Sequence, residues 1–142
     1  DLVFPYMETA NAKSGWGYDI EAAESVQITR YEKGEFYNFH MDGMSDNLGA
    51  YNDPENKFKH GNVRKLSMSI VLNDGYEGGG FEFATINSSA TCAEELSTTY
   101  TPDFNKLGSI MVFPSYMMHR VQPVTKGTRY SLVLWFLGPP FK

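Results

Sequence analysis

The chain has 142 residues, enough for one domain with a real core and too few for two. Its formal charge of −5 and pI near 5.1 offer phosphates no broad basic face, which sets nucleic acid aside as a partner. Aromatic residues make up 15% of it, with ten Phe and nine Tyr, a composition that favours strands over helices.

The chain opens at Asp1 without a methionine, which leaves room for missing N-terminal sequence, a helix included. Residues 1–25 hold turn-forming and small residues (Pro5, Gly15, Gly17, several Ala) with weak periodicity. They predict a loop that lays Trp16 and Tyr18 against the core, then one helical turn over 20–24. A strand is expected over 26–31, a turn over 32–35 and a second strand over 36–42. Residues 44–62, with Gly49, Pro54, Gly61 and four Asn, predict a long exposed loop leaving directly from Asp42, a mobile lid over whatever Asp42 serves. Beyond it, Leu66, Met68, Ile70 and Leu72 alternate with Ser67, Ser69 and Val71, a clean strand period. The glycines of 75–80 predict a tight backbone corner, not a phosphate loop, because no Gly-x-x-x-x-Gly-Lys pattern or following helix accompanies them. Residues 85–106 read as a second polar loop with a short strand near 98–101. The single cysteine, Cys92, lies there among polar and acidic neighbours, so no internal disulfide forms and the thiol is a bystander. That usage fits a reducing compartment, the cytoplasm. Strands over 109–113 and 129–136 complete the chain.

Residues 129–136 carry bulk on both faces, which implies a closed or double-sheet barrel. The expected fold is mainly β, an eight-stranded jelly-roll or double-stranded β-helix with few short helices. No run approaches the roughly 18 apolar residues of a membrane span and no signal peptide is visible, so no membrane partner is expected.

The stretch 31–43, YEKGEFYNFHMDG, ends in His40-x-Asp42. On an extended strand, side chains two apart point the same way with backbones roughly 7 Å apart, a spacing that suits two ligands of one ion. With three His in the chain, chance supplies such a pair roughly one time in seven, so the pair alone is weak. His119 is the best third ligand, and two His with one carboxylate is the set used by non-haem Fe(II) oxygenases. His60, in a polar run, reads as solvated. Arg129, ten residues past His119, alternates with Ser131, Val133 and Trp135 on a mostly apolar, inward face. A buried arginine needs a partner, either one of the seventeen acidic residues or the far carboxylate of a diacid co-substrate whose near end chelates the metal.

With these residues in view, the chain resembles the catalytic domain of Fe(II)/2-oxoglutarate-dependent dioxygenases of the prolyl 4-hydroxylase and procollagen lysyl hydroxylase type. Tyr31-x-x-Gly34-x-x-Tyr37-x-x-His40-x-Asp42 matches the family's first block and Gly78-Gly79-Gly80-x-x-Phe83 its central turn. Gly108-x-x-x-x-Phe113-x-x-x-x-x-His119 and Gly127-Thr128-Arg129-Tyr130 match its closing blocks, so the likeness runs over roughly 26–137. It implies that His40, Asp42 and His119 bind Fe(II), that Arg129 takes the distal carboxylate of 2-oxoglutarate, and that the Tyr31 hydroxyl donates to the same group. Tyr37 is expected to pack on the opposite strand face from His40, and Trp135 to wall the pocket. Arginine at position 129 is closer to lysyl hydroxylases and to bacterial and phage relatives than to animal and plant prolyl hydroxylases, which often carry lysine there. The absence of a second arginine after Arg129 disfavours the nucleic-acid demethylase branch.

The reaction implied consumes O2 and 2-oxoglutarate, releases succinate and CO2, and hydroxylates a C–H bond, with ascorbate as an optional accessory. The expected substrate is a peptide or protein side chain; a free amino acid or other small molecule is the alternative within the class. A non-catalytic cupin-type barrel that binds a metal or small ligand is the alternative outside it, and such a barrel has no need of an inward Arg129.

Overall fold

The computed structural model describes residues 2–43, 49–85 and 99–142. One helix, α1 (Phe4–Lys13), is followed by strands β1 (Ala22–Ala23), β2 (Gln27–Tyr31), β3 (Tyr37–His40) and β4 (Val63–Val71). Then come β5 (Glu77–Gly78), β6 (Phe81–Ala84), β7 (Thr99–Tyr100), β8 (Ile110–Pro114), β9 (Met118–Val121), β10 (Val124–Lys126) and β11 (Arg129–Gly138). The larger sheet has the order β1-β11-β4-β8, and β2 pairs with the same edge of β11 as β1 does. The smaller sheet has the order β3-β9-β6-β7, and β5 with β10 makes a separate clip. Every pairing is antiparallel. The two sheets share a core of Val71 and Phe113 from one against Phe81, Phe83 and Val121 from the other, the double-sheet jelly-roll that the composition predicts.

The alternation in β4 and β11 assigns each face its neighbour. Leu66, Met68, Leu134 and Phe136 point outward and join Met7 of α1 in a second core, while Ser67, Ser69, Ser131, Val133 and Trp135 point between the sheets. The bulk on both faces of β11 is explained, but the outward cover is a helix and not a second strand layer. Residues 4–13, predicted as loop, form α1 with Pro5 in its first turn, Lys13 in its last and Gly15 just past its end. Those are helix start and stop residues, and their small partners disguise them as turn composition. Gly15, at φ 71°, ends the helix by donating its N–H to Ala12 O at 3.1 Å. Asn11 then clamps the returning chain through both the N–H and the carbonyl of Tyr18 (3.0 and 2.8 Å), and Phe4 sets its ring edge-on to Phe136. Trp16 and Tyr18 pack against this core as predicted. The helical turn expected over 20–24 is absent: Ala22 and Ala23 pair instead with Phe136 and Leu137 as β1.

The loop predicted over 44–62 is described only from 49 onward; residues 44–48 and Cys92 lie outside the described residues. The described part folds on itself, Tyr51 N–H donating to Asn62 O and Gly61 N–H to Tyr51 O, each at 2.9 Å. It is tied to the larger sheet by the Tyr51 hydroxyl on Glu24 at 2.6 Å and Asn62 on Glu21 at 3.0 Å. Among the described residues, no helix is long and apolar enough to cross a membrane.

Candidate functional site

His40 and His119 are direct cross-strand partners on β3 and β9, which places two imidazoles side by side, ring centroids 4.2 Å apart. Asp42 reaches the same point by a different route from the one expected. β3 ends at His40, and Asp42 sits in the turn that follows, where its N–H and that of Gly43 both donate to Ser115 O at 2.9 and 3.0 Å. Its Oδ1 lies 3.2 Å from His40 Nε2 and 3.4 Å from His119 Nε2. The three donor atoms fall within 4.8 Å of one another, a cluster tight enough for one ion.

The ring orientations suit a metal. His40 Nδ1–H donates to Asn38 O at 2.7 Å and His119 Nδ1–H to Met117 O at 2.9 Å, and a ring whose proton is held there turns its Nε2 lone pair toward the centre. Burial, assisted by the neighbouring His40, lowers the His119 pKa against the pull of Asp42 and keeps the ring neutral. Burial alone would raise the Asp42 carboxyl, but a hydrogen bond from His40, the charge of His119 and the Ser67 hydroxyl outweigh it and hold the pKa at about 2. With both Nε2 atoms turned inward as lone pairs, the Ser67 hydroxyl is the donor that still favours the carboxylate, and a bound cation takes the place of the imidazole protons. A carboxylate and two neutral imidazoles are the protonation states a divalent ion needs.

The cluster opens on a cavity of about 250 Å³ between the sheets, lined by Tyr31, Arg129, Ser131 and Trp135 among others. Arg129 is 2% exposed, and its Nη1 donates to Ser131 Oγ at 3.2 Å. Among the described residues no carboxylate lies within ion-pair distance of it, so the structural salt bridge weighed from sequence is not made there. An arginine buried in a cavity wall with no acid beside it is suited to a bound anion. Tyr31 is its cross-strand partner, ring centroid 5.7 Å from the guanidinium. Burial raises the Tyr31 pKa despite Arg129, which keeps the phenol a proton donor. The corner expected over 75–80 shapes this end of the cavity: Gly79, at φ +65°, lies so close to Arg129 that a Cβ would come within 2.9 Å of Cδ.

Tyr37 does not sit where alternation puts it. Four residues of β3 span three of β9, Tyr37 opposite Val121 and His40 opposite His119, and this bulge turns Tyr37 to the same side as His40. The rings are 3.9 Å apart, and Tyr37, half exposed, lines the cavity mouth. Arg64 escaped sequence reading for the same reason. A register shift between Leu66 and Arg64 resets the parity of β4, so Arg64 joins Ser67 on the cavity side. Its guanidinium stacks on Trp135 at 3.9 Å, pairs bidentately with Glu24 at 2.8 and 2.9 Å, and donates to Asp42 O at 3.3 Å. His60 is exposed, outside the cluster, and accepts the Asp53 N–H at 3.2 Å.

Comparison with known proteins agrees with this geometry. The family model described as the 2OG-Fe(II) oxygenase superfamily matches residues 26–137. A PKHD-type hydroxylase of Idiomarina loihiensis is 31% identical over 112 residues, which cover 78% of this chain and 40% of that protein. This chain thus spans about two fifths of the length of the curated relatives it matches. A prolyl-4-hydroxylase of Pseudomonas putida superposes with a TM-score of 0.60 at 23% identity, over 92% of this chain and 62% of the other. A Trichoplax adhaerens prolyl hydroxylase, solved with a hypoxia inducible factor peptide fragment, gives 0.62 at 19% identity over 94% and 52%. These structural likenesses establish the double-stranded β-helix fold.

Proposed function

The chain belongs to the 2OG-Fe(II) oxygenase superfamily, and on that premise we propose that it hydroxylates a C–H bond of a peptide or protein side chain. His40, Asp42 and His119 hold Fe(II), and Arg129 with Tyr31 takes the distal carboxylate of 2-oxoglutarate. The observation that carries this reading is Arg129, buried and without an acid beside it among the described residues, in the cavity onto which the His–Asp–His cluster opens. A metal-only barrel has no use for that cation.

Bound iron supplies O2 activation coupled to oxidative decarboxylation of 2-oxoglutarate, which yields succinate, CO2 and the hydroxylated product. The protein's share is positional. The Nδ1 hydrogen bonds fix both imidazoles, the turn at Asp42 presents Oδ1, and the Phe81, Phe83 and Phe113 cluster dries the inner side of His119. Arg129 and the protonated Tyr31 orient the co-substrate from the far end, leaving the mouth beside Tyr37 for the side chain to be oxidised. The peptide reading draws on the Trichoplax complex, whose solved partner is a peptide.

Anaerobic Fe(II) protein mixed with 2-oxoglutarate should develop a visible charge-transfer band. His40→Ala, Asp42→Ala and His119→Ala should each abolish both the band and 2-oxoglutarate turnover while the fold persists. Absence of the band in the unaltered protein would return the chain to the class of non-catalytic binding barrels.

A further inference from the structure

The carboxylate of Asp42 has two oxygens, and the structure uses them differently. Oδ1 faces His40 and His119, whereas Oδ2 accepts a hydrogen bond from Ser67 Oγ at 2.7 Å. Ser67 is 1% exposed and Asp42 8%, so no bulk water stands ready to replace that donor. Ser67 Oγ also lies 2.9 Å from Ser115 Oγ, with Ser115 itself fully buried. A hydroxyl has one proton. Because an ionised carboxylate only accepts, the Ser67 proton is committed to Oδ2, and Ser115 must donate its own to Ser67 Oγ. The chain therefore runs one way, Ser115 to Ser67 to Asp42, and each bond polarises the next.

Both ends of this relay are anchored. Ser67 sits mid-strand in β4, opposite Trp135 on β11 and Phe113 on β8. Ser115, just past β8, donates its N–H to Lys65 O at 3.0 Å and accepts those of Asp42 and Gly43 on its carbonyl. Gly43 packs so closely on Ser115 that a Cβ there would come within 3.3 Å of the serine's own. The Trp135 indole N–H, buried in the same wall, falls outside strict hydrogen-bond geometry but is close enough to Asp42 to favour its carboxylate, a weaker donor beside Ser67.

We propose that Ser67, supported by Ser115, is a positioning residue that occupies Oδ2 of Asp42 and so reserves Oδ1 for the metal, enforcing one-oxygen coordination. This rests on the metal-binding reading above. One-oxygen coordination leaves more of the ion's sites free for a chelating diacid and for O2 than a two-oxygen clasp does. A neutral hydroxyl also steadies the carboxylate without competing for the ion, which a lysine or arginine at this position would do by its charge.

The test uses metal itself as the probe. Mn(II) affinity is measured by calorimetry, and the visible spectrum of the Co(II) form reports coordination. Ser67→Ala should weaken Mn(II) about 10–100-fold, the usual cost of losing a partner behind a metal ligand, and alter the Co(II) spectrum. Ser67→Thr, which keeps the hydroxyl, should restore both. Ser115→Ala should give an intermediate, several-fold loss and decides the matter should Ser67→Ala fail to fold. Unfolding midpoints of the metal-free variants separate lost positioning from lost structure. The proposal is overturned if Ser67→Ala, or Ser115→Ala where the former does not fold, binds Mn(II) as the unaltered protein does with the same Co(II) spectrum. No binding of Mn(II) or Co(II) by the unaltered protein would instead sink the metal reading, and this proposal with it.

Discussion

At the scale of single residues, Arg129 is the sharpest handle on the chemistry. Arg129→Ala removes the buried charge proposed to meet the co-substrate's far carboxylate, so 2-oxoglutarate binding to the Mn(II) form should weaken by about 3–5 kcal/mol while Mn(II) affinity holds. Arg129→Lys should recover part of this, since a point charge remains but the planar fork does not. Equal losses of metal and co-substrate in calorimetry would mark the arginine as structural. The buried ligands also set a pH dependence. An unfolded His takes up a proton near its ordinary 6.5, whereas folded His119 resists because its pKa is lowered. Below 6.5 the unfolded chain therefore binds more protons and stability falls with pH. Asp42 acts in the same direction further down: its contribution is full above the ordinary 3.8 and is lost as pH falls through about 2. Urea midpoints of the metal-free protein should be level above pH 7 and decline below about 6.5, and His119→Gln should remove that decline.

Elements show where sequence reading succeeds and where it stops. The period-two alternation of β4 and the inward face of β11 were legible because each strand is long enough to repeat its pattern. The sites of His40, Arg129 and Tyr31 followed from the same pattern and from the family blocks. Tyr37 and Arg64 were not legible: in each case one extra residue in a strand reverses parity, and no side chain announces the bulge. The convergence of His40 and Asp42 was foreseen, but from strand alternation, whereas a turn stapled to Ser115 brings it about. The helix α1 hid behind small residues and a single buried anchor, Met7. Met7→Ala should lower stability by about 2–5 kcal/mol in denaturant titration, and the metal site, on the other side of the sheet, should keep its affinity. Gly79→Ala should instead reach the cavity, costing about 1–2 kcal/mol for a side chain at positive φ while pressing on Arg129, so that 2-oxoglutarate affinity falls more than metal affinity.

For the molecule as a whole, one ionic knot ties distant parts of the chain together. Glu24, between β1 and β2, accepts from Arg64 of β4 and from Tyr51 of the folded 49–62 segment, and Arg64 in turn holds the Asp42 carbonyl. The Glu24 pKa is lowered because the donors of Arg64 and Tyr51 outweigh its burial. Glu24→Ala leaves Arg64 poorly paired and should cost on the order of 3 kcal/mol. Limited proteolysis should then open first within 49–62; a cleavage pattern unchanged from the parent would mean that this segment is held by its own backbone bonds alone.

The outward side chains of β4 and β11 meet α1 and its flanking loop, and their inward neighbours meet the cavity. One sheet therefore keeps two separate accounts of selection, interleaved residue by residue along the same strands. A lineage carrying this chain can retune its working temperature at 66, 134 and 136 without touching the groups proposed to handle oxygen, and can change its substrate from the other face without remaking its scaffold.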